Sequence, residues 1–169
     1  MSCPTRSTSQ TTDTVPRTVV LALGSNLGLR RYNLLRAVDS IGKAMTVVRV
    51  SSIHESAAVD APSGSPRFLN LVLSGHTSST ASLLLRELLA IETRLGRRRA
   101  GVRNEPRIID IDLILFSAEL RSSTFLTLPH PRYLQREFVM QPLREIAEGW
   151  IDPVSGRRLG SFRMALRRD

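Results

Sequence analysis

The segment Arg107-Ile-Ile-Asp-Ile-Asp-Leu-Ile-Leu115 constrains the fold more than any other part of the chain. Side chains alternate across a strand, so Ile109, Ile111, Leu113 and Leu115 are expected on one face and Asp110 and Asp112 on the other. Aspartate is disfavoured in strands, and two carboxylates on one face start only ~7 Å apart, repelling by roughly 2 kcal/mol at an effective dielectric of ~20. The strand therefore needs an apolar layer on one side and something cationic on the other. Oxygen ligands with no nearby His or Cys suit Mg²⁺, which takes one or two carboxylates and fills its shell with water and substrate phosphates.

Directly upstream lies the densest positive charge, carried by Arg94, Arg97, Arg98, Arg99, Arg103 and Arg107. The whole chain has a net charge of +9, and its 24 basic residues are all Arg except Lys43. Guanidinium groups grip phosphate oxygens in pairs, so carboxylates beside several Arg point to a polyphosphate held from both sides. No Gly-x-x-x-x-Gly-Lys-[Ser/Thr] run occurs, and Gly24-Ser-Asn-Leu-Gly28 lacks the phosphate-binding lysine, so side chains must hold the nucleotide. His130, between Pro129 and Pro131, is the best placed of the three histidines to donate to a phosphate.

The remaining pattern alternates strands and helices. Thr18 to Leu23 reads as a strand entering a turn at Gly24-Ser25-Asn26, and a helix follows from about Arg30 to Lys43 with Leu34, Leu35, Val38 and Ile41 at helical spacing. Val47 to Glu55 is rich in β formers, and Phe68 to His76 is another strand. The loop between them, Ala57 to Pro66, is longer than a hairpin needs, as expected of a substrate wall. Thr80 to Leu95 is a helix stopped by Gly96, Ile108 to Phe116 is the metal strand, and Pro129 to Ala147 combines a proline-bounded turn with an amphipathic helix. The order β-α-β-β-α-β is that of an α+β, ferredoxin-like antiparallel sheet with helices packed on it, plus a C-terminal extension.

Residues 1–16 are mostly Ser, Thr and Pro and read as a disordered tail ahead of one domain over residues 17–169. With no run of about 18 apolar residues a membrane span is not expected, and the single Cys3 fits a reducing cytoplasm. An RNA-binding module is the main rival for a basic sheet domain. Only 5% of residues are aromatic, however, there is no RNP1-like run, and two Asp on one face repel phosphate unless a metal intervenes.

Three separated segments resemble the 6-hydroxymethyl-7,8-dihydropterin pyrophosphokinase family: Leu21-Ala-Leu-Gly-Ser-Asn-Leu-Gly28, Arg103 to Leu113, and Leu128-Pro-His-Pro-Arg-Tyr-Leu-Gln-Arg-Glu-Phe138. Phe68-Leu69-Asn70 adds a fourth, and together they run in family order from about Val19 to Ile151. The resemblance implies an ATP-dependent diphosphokinase of folate biosynthesis that makes AMP and a pterin diphosphate. It implies Asp110 and Asp112 as ligands of two Mg²⁺ ions bound with ATP, and Arg97, Arg99 and Arg107 as phosphate-binding residues, with Arg97 and Arg99 catalytic beside the two aspartates. Glu92, Leu113, His130 and Arg136 resemble the remaining nucleotide contacts. Ser56, Ala57, Ala58, Val59, Asn70 and Phe138, with Phe68 nearby, are similar to the pterin position. The implied partners are ATP and 6-hydroxymethyl-7,8-dihydropterin, with no nucleic acid and no membrane, for a cytoplasmic monomer. A catalytically silent pterin- or nucleotide-binding member is the other alternative. Two departures stand out: Arg103-Asn-Glu-Pro-Arg107 replaces the common Arg-Trp-Gly-Pro-Arg, and Ser56-Ala57-Ala58 replaces Thr-Pro-Pro.

Overall fold

The computed structural model describes residues 15–59, 64–98 and 105–162. Residues 1–14 of the expected tail lie outside them, as do Arg99 and Arg103. Among the described residues no helix is long and apolar enough to cross a membrane.

The chain runs β1 (Arg17–Ser25), α1 (Arg30–Ile41), β2 (Thr46–Val50), β3 (His54–Ser56), β4 (Phe68–Thr77), α2 (Ala81–Arg94) and β5 (Asp110–Phe116). A short hairpin of β6 (Arg121–Ser122) and β7 (Thr127–Leu128), a 3₁₀ turn at Tyr133–Gln135 and α3 (Glu137–Ala147) follow. The sheet order is β2-β4-β1-β5, every pair antiparallel, with β3 also paired to β4. The segment expected to be β-rich from Val47 to Glu55 is thus two strands on one edge of β4. Ser51 bridges them: its N–H donates to Val72 O at 2.9 Å while its Oγ accepts the Val72 N–H at 2.9 Å.

The helix α2 is both started and stopped by its own sequence. Thr80 caps α2, its hydroxyl accepting the Leu83 N–H at 3.3 Å. Gly96, at φ +98°, supplies the left-handed residue that ends it. In α1 the buried residues are Leu34, Ala37 and Ile41, whereas Leu35, expected on the apolar face, is exposed. Positions 34, 37, 38 and 41 form one stripe at helical spacing, and residue 35 lies about 100° away from it.

The sheet separates two cores. Val19, Leu21, Leu23, Leu71, Leu73, Ile111 and Leu113 pack under α1 and α2. Val20, Ala22, Val72 and Ile114 pack on the other face, under Tyr133 and the α3 residues Val139, Met140, Leu143 and Ile146. The C-terminal part is therefore a third layer. Strict alternation along β5 fails at one place: Val20 pairs with Leu115 but Leu21 with Leu113, so the register shifts there. Ile114 and Leu115 both join the α3-side core, and Leu115 does not share a face with Ile109, Ile111 and Leu113. A bulge of this kind inserts one unpaired residue and resets which side chains face which layer.

Candidate functional site

The register of three strands builds the floor of the site. Gly24 on β1 pairs with Asp110 on one side and Asn70 on the other, and Ala22 pairs with Asp112 and Val72. His54 of β3 continues the first row beyond Asn70. The small Ala22 and Gly24 of the middle strand let the side chains of the neighbouring strands lie close over it. A Cβ at Gly24 would stand 3.2 Å from Asn70 Oδ1 and 3.4 Å from the Phe68 ring.

Two clefts meet at this floor, one on the α3 side of the sheet and one reaching from the edge strand β5 to α2. One is lined by Ser56, Ala57, Ala58, Val59, Phe68, Asn70, Gln135 and Phe138, with Gly24 beneath. Asn70 Nδ2 donates to Ser56 Oγ at 2.9 Å, which ties the strand floor to the start of the loop wall. Phe138 also packs against the α3-side core, so it serves both packing and the cleft. The other cleft is lined by Leu85, Leu89 and Glu92 of α2, Arg97, Leu113, Phe125 to Thr127, His130 and Pro131. Five residues line both: Arg107, Asp110, Asp112, Arg132 and Arg136. The two carboxylates thus stand on the shared wall.

Arginines hold these carboxylates. Arg97 donates to both Glu92 Oε1 and Asp110 Oδ1, Arg107 Nη1 reaches Asp110 Oδ2 at 2.9 Å, and Arg136 Nη1 reaches Asp112 Oδ2 at 3.3 Å. Arg107 and Arg136 also lie over the Phe68 and Phe138 rings, at 5.9 and 5.5 Å from the centroids. Glu92, only 2% exposed, accepts the Ile111 N–H at 2.7 Å and so pins the end of α2 to the start of β5. Burial, then the charge of Asp110, pushes the Asp112 carboxyl up to about 6 against the opposing pull of Arg136. Burial, then the charges of Arg136 and Arg132, drives His130 down to about 4, leaving a neutral ring near pH 7. Its Nδ1 faces the Arg132 N–H at 3.3 Å, a geometry that assigns the ring proton to Nε2. The His130 N–H itself donates to Ile114 O at 2.9 Å, which fixes the residue to β5.

Among the described residues no group of three or more His, Cys, Asp or Glu could ligate a metal. Two carboxylates whose negative charge is opposed by burial and by each other, with only oxygen donors, still fit a hard divalent cation completed by phosphate and water. They do not make a self-sufficient protein cage.

All the predicted site residues within the described chain fall in these two clefts, and Arg99 lies outside it. The sequence reading missed Ala22, Leu23 and Gly24 in the floor, Arg132 and Gln135, and the Leu85, Leu89 and Phe125 to Thr127 wall. It also read Asn26 as turn only. Asn26 is 3% exposed; its Oδ1 accepts the Arg107 N–H at 2.7 Å, its Nδ2 donates to Pro66 O at 3.3 Å, and its N–H donates to Arg107 O at 3.1 Å. One buried amide therefore joins the ends of the loops entering β4 and β5. The Gly24-Ser25-Asn26 run was the available signal, but its partners are 40 and 81 residues away.

Residues 20–148 match the family described as 7,8-dihydro-6-hydroxymethylpterin-pyrophosphokinase. The chain is 34% identical over 146 residues to the 2-amino-4-hydroxy-6-hydroxymethyldihydropteridine pyrophosphokinase of Aquifex aeolicus, covering 86% of this chain and 90% of that one. It is 36% identical over 145 residues to the folic acid synthesis protein fol1 of Pneumocystis carinii, covering 85% of this chain but 19% of that longer protein. In three dimensions it is similar to the wild-type Plasmodium falciparum HPPK-DHPS crystal structure, with a TM-score of 0.64 at 12% identity, over 86% of this chain and 44% of that one.

Proposed function

The chain belongs to the 7,8-dihydro-6-hydroxymethylpterin-pyrophosphokinase family, and on that premise we propose that it transfers the pyrophosphoryl group of ATP to the hydroxymethyl oxygen of 6-hydroxymethyl-7,8-dihydropterin. The observation that carries the assignment is the shared wall: two clefts of different chemistry meet at Asp110 and Asp112. The first cleft suits a flat heteroaromatic ring, with the Phe68 and Phe138 faces and the Asn70 amide for a pyrimidine edge. The second suits a nucleotide, with an apolar end at Leu85, Leu89 and Phe125 for the base and Arg97, Arg107 and Arg136 for phosphates.

In this reading the hydroxymethyl oxygen attacks the β-phosphorus, the bond from that phosphorus to the α-phosphate bridging oxygen breaks, AMP leaves and the hydroxyl proton passes to water. Asp110 and Asp112 would hold two Mg²⁺ ions, which when bound with ATP neutralise charge on its phosphates. Arg97, Arg107 and Arg136 exchange their carboxylate partners for phosphate oxygens, and neutral His130 donates through Nε2–H. Arg99 belongs to the same set through its sequence position. Among the described residues no side chain is arranged as a covalent nucleophile, and transfer in this reading is direct. We read the sheet order as ferredoxin-like and the protein as a cytoplasmic monomer. Incubating the protein with Mg²⁺, ATP and the reduced pterin alcohol is expected to yield AMP and pterin diphosphate in equal amounts. ADP with a pterin monophosphate would overturn the assignment.

A further inference from the structure

The geometry points to Arg132 as a further catalytic residue, one whose guanidinium contacts the pyrophosphoryl group while it passes between the two substrates. The inference rests on the pyrophosphoryl-transfer reading above. Of the five residues that line both clefts, two are the aspartates, and Arg107 and Arg136 are each ion-paired to one of them. Arg97, in the second cleft, is paired with Glu92 and Asp110. Arg132 is the remaining cation of the shared wall, and no carboxylate among the described residues pairs with it.

Its backbone is nonetheless anchored. The Arg132 N–H lies on His130 Nδ1 at 3.3 Å, and its carbonyl accepts the Gln135 N–H at 3.1 Å, so the residue opens the Tyr133–Gln135 turn in a fixed position. The Arg132 charge also contributes to holding His130 below its ordinary proton affinity, which places the guanidinium close to that ring.

A group in transfer belongs to neither cleft. Its non-bridging oxygens gather charge where the two clefts meet, as one oxygen–phosphorus bond forms and the other breaks. A guanidinium on that boundary, not spent on a protein anion, offers paired N–H donors there. Contacts made at that stage lower the barrier without strengthening ground-state binding of ATP.

The test uses the full chain with Mg²⁺, ATP and the reduced pterin alcohol, and compares the parent with Arg132→Ala and Arg132→Lys. Arg36→Ala, at an exposed α1 residue that lines neither cleft, controls for the loss of one positive charge. Arg132→Ala is expected to lower kcat by about 100-fold, the scale of losing one preorganised donor to a transition-state oxygen, and Lys to recover part of it. The Kd of a non-hydrolysable ATP analogue should stay near the parent value in both. An unchanged kcat, or analogue binding weakened as much as kcat falls, would overturn the assignment. If the parent itself releases no AMP, the pyrophosphokinase reading fails instead, and the two failures are distinguishable.

Discussion

The two faces of the central sheet come from alternating residues of the same three strands, yet they have opposite character. Toward α1 and α2, Leu21, Leu23, Leu71, Leu73, Ile111 and Leu113 are all at most 4% exposed. Toward α3, the corresponding neighbours are Ala22, Gly24, Asn70, Asp110 and Asp112, small or polar, while Val20, Val72 and Ile114 keep that face apolar at the other end of the strands. The first cleft and the two carboxylates thus occupy the end of one face where the α3 cover stops, and the second cleft reaches α2 residues beyond the edge strand β5. Because the opposite face is a complete core, the strands can carry a repelling pair of carboxylates without losing their apolar support.

The sharpest way to break this comparison is to cut each face separately. Asp110→Ala or Asp112→Ala should lower AMP release on the order of 10³-fold, as expected when a metal-bridged charge clamp is lost, while the protein stays folded. Near-parent turnover in either at moderate Mg²⁺ would remove that residue from the metal site. Leu73→Ala on the other face should cost about 2–5 kcal/mol in urea denaturation, with turnover per folded molecule kept. If the Leu73 variant lost turnover as steeply as the aspartate variants, the division of labour would not hold.

A smaller effect is expected at the floor between the faces. Gly24→Ala puts a methyl 3.2 Å from Asn70 Oδ1, so the amide must shift. The pterin KM should rise about tenfold, near 1.4 kcal/mol, and the ATP KM should stay. Equal changes in both would mean that the floor belongs to both clefts.

The smallest concerns pH. His130 has its folded pKa lowered to about 4, below the ordinary 6.5. The unfolded chain therefore binds this proton first, and the stability tied to the neutral ring is present above pH 6.5 and lost as pH falls toward about 4. Replacing His130 with Asn should flatten the stability profile between those values in denaturant titrations. An identical slope in parent and variant would show that the ring is solvated in the folded protein.

How much of this was legible depends on the range of the interaction. The strand–helix order, the aspartates on one strand face and the arginine run need only local periodicity and composition, and the segments around Asp110 and His130 carried the family resemblance. Phe68, Asn70 and Phe138, which line one cleft together, each lie inside a matching segment. What lay beyond reach was pairing across the chain. Gly24 gave no sign that Asp110 and Asn70 flank it, Asn26 none that it holds Arg107 and Pro66, and Leu115 none that a register shift turns it to the other core.

The sequence by itself determined the chemical inventory and, up to the register shift before Leu115, which side chains of β5 share a face, because a strand's two-residue repeat and a helix's 3.6-residue repeat are properties of the local backbone. Only the tertiary structure decided that the aspartates sit on a wall common to two clefts, that α3 closes one half of a face and leaves the other open, and that Arg132 stands on the boundary. Those facts follow from strand register and layer packing, where hydrogen bonds and buried apolar surface are shared by residues far apart in the chain, and no local pattern records which distant partner each residue will meet.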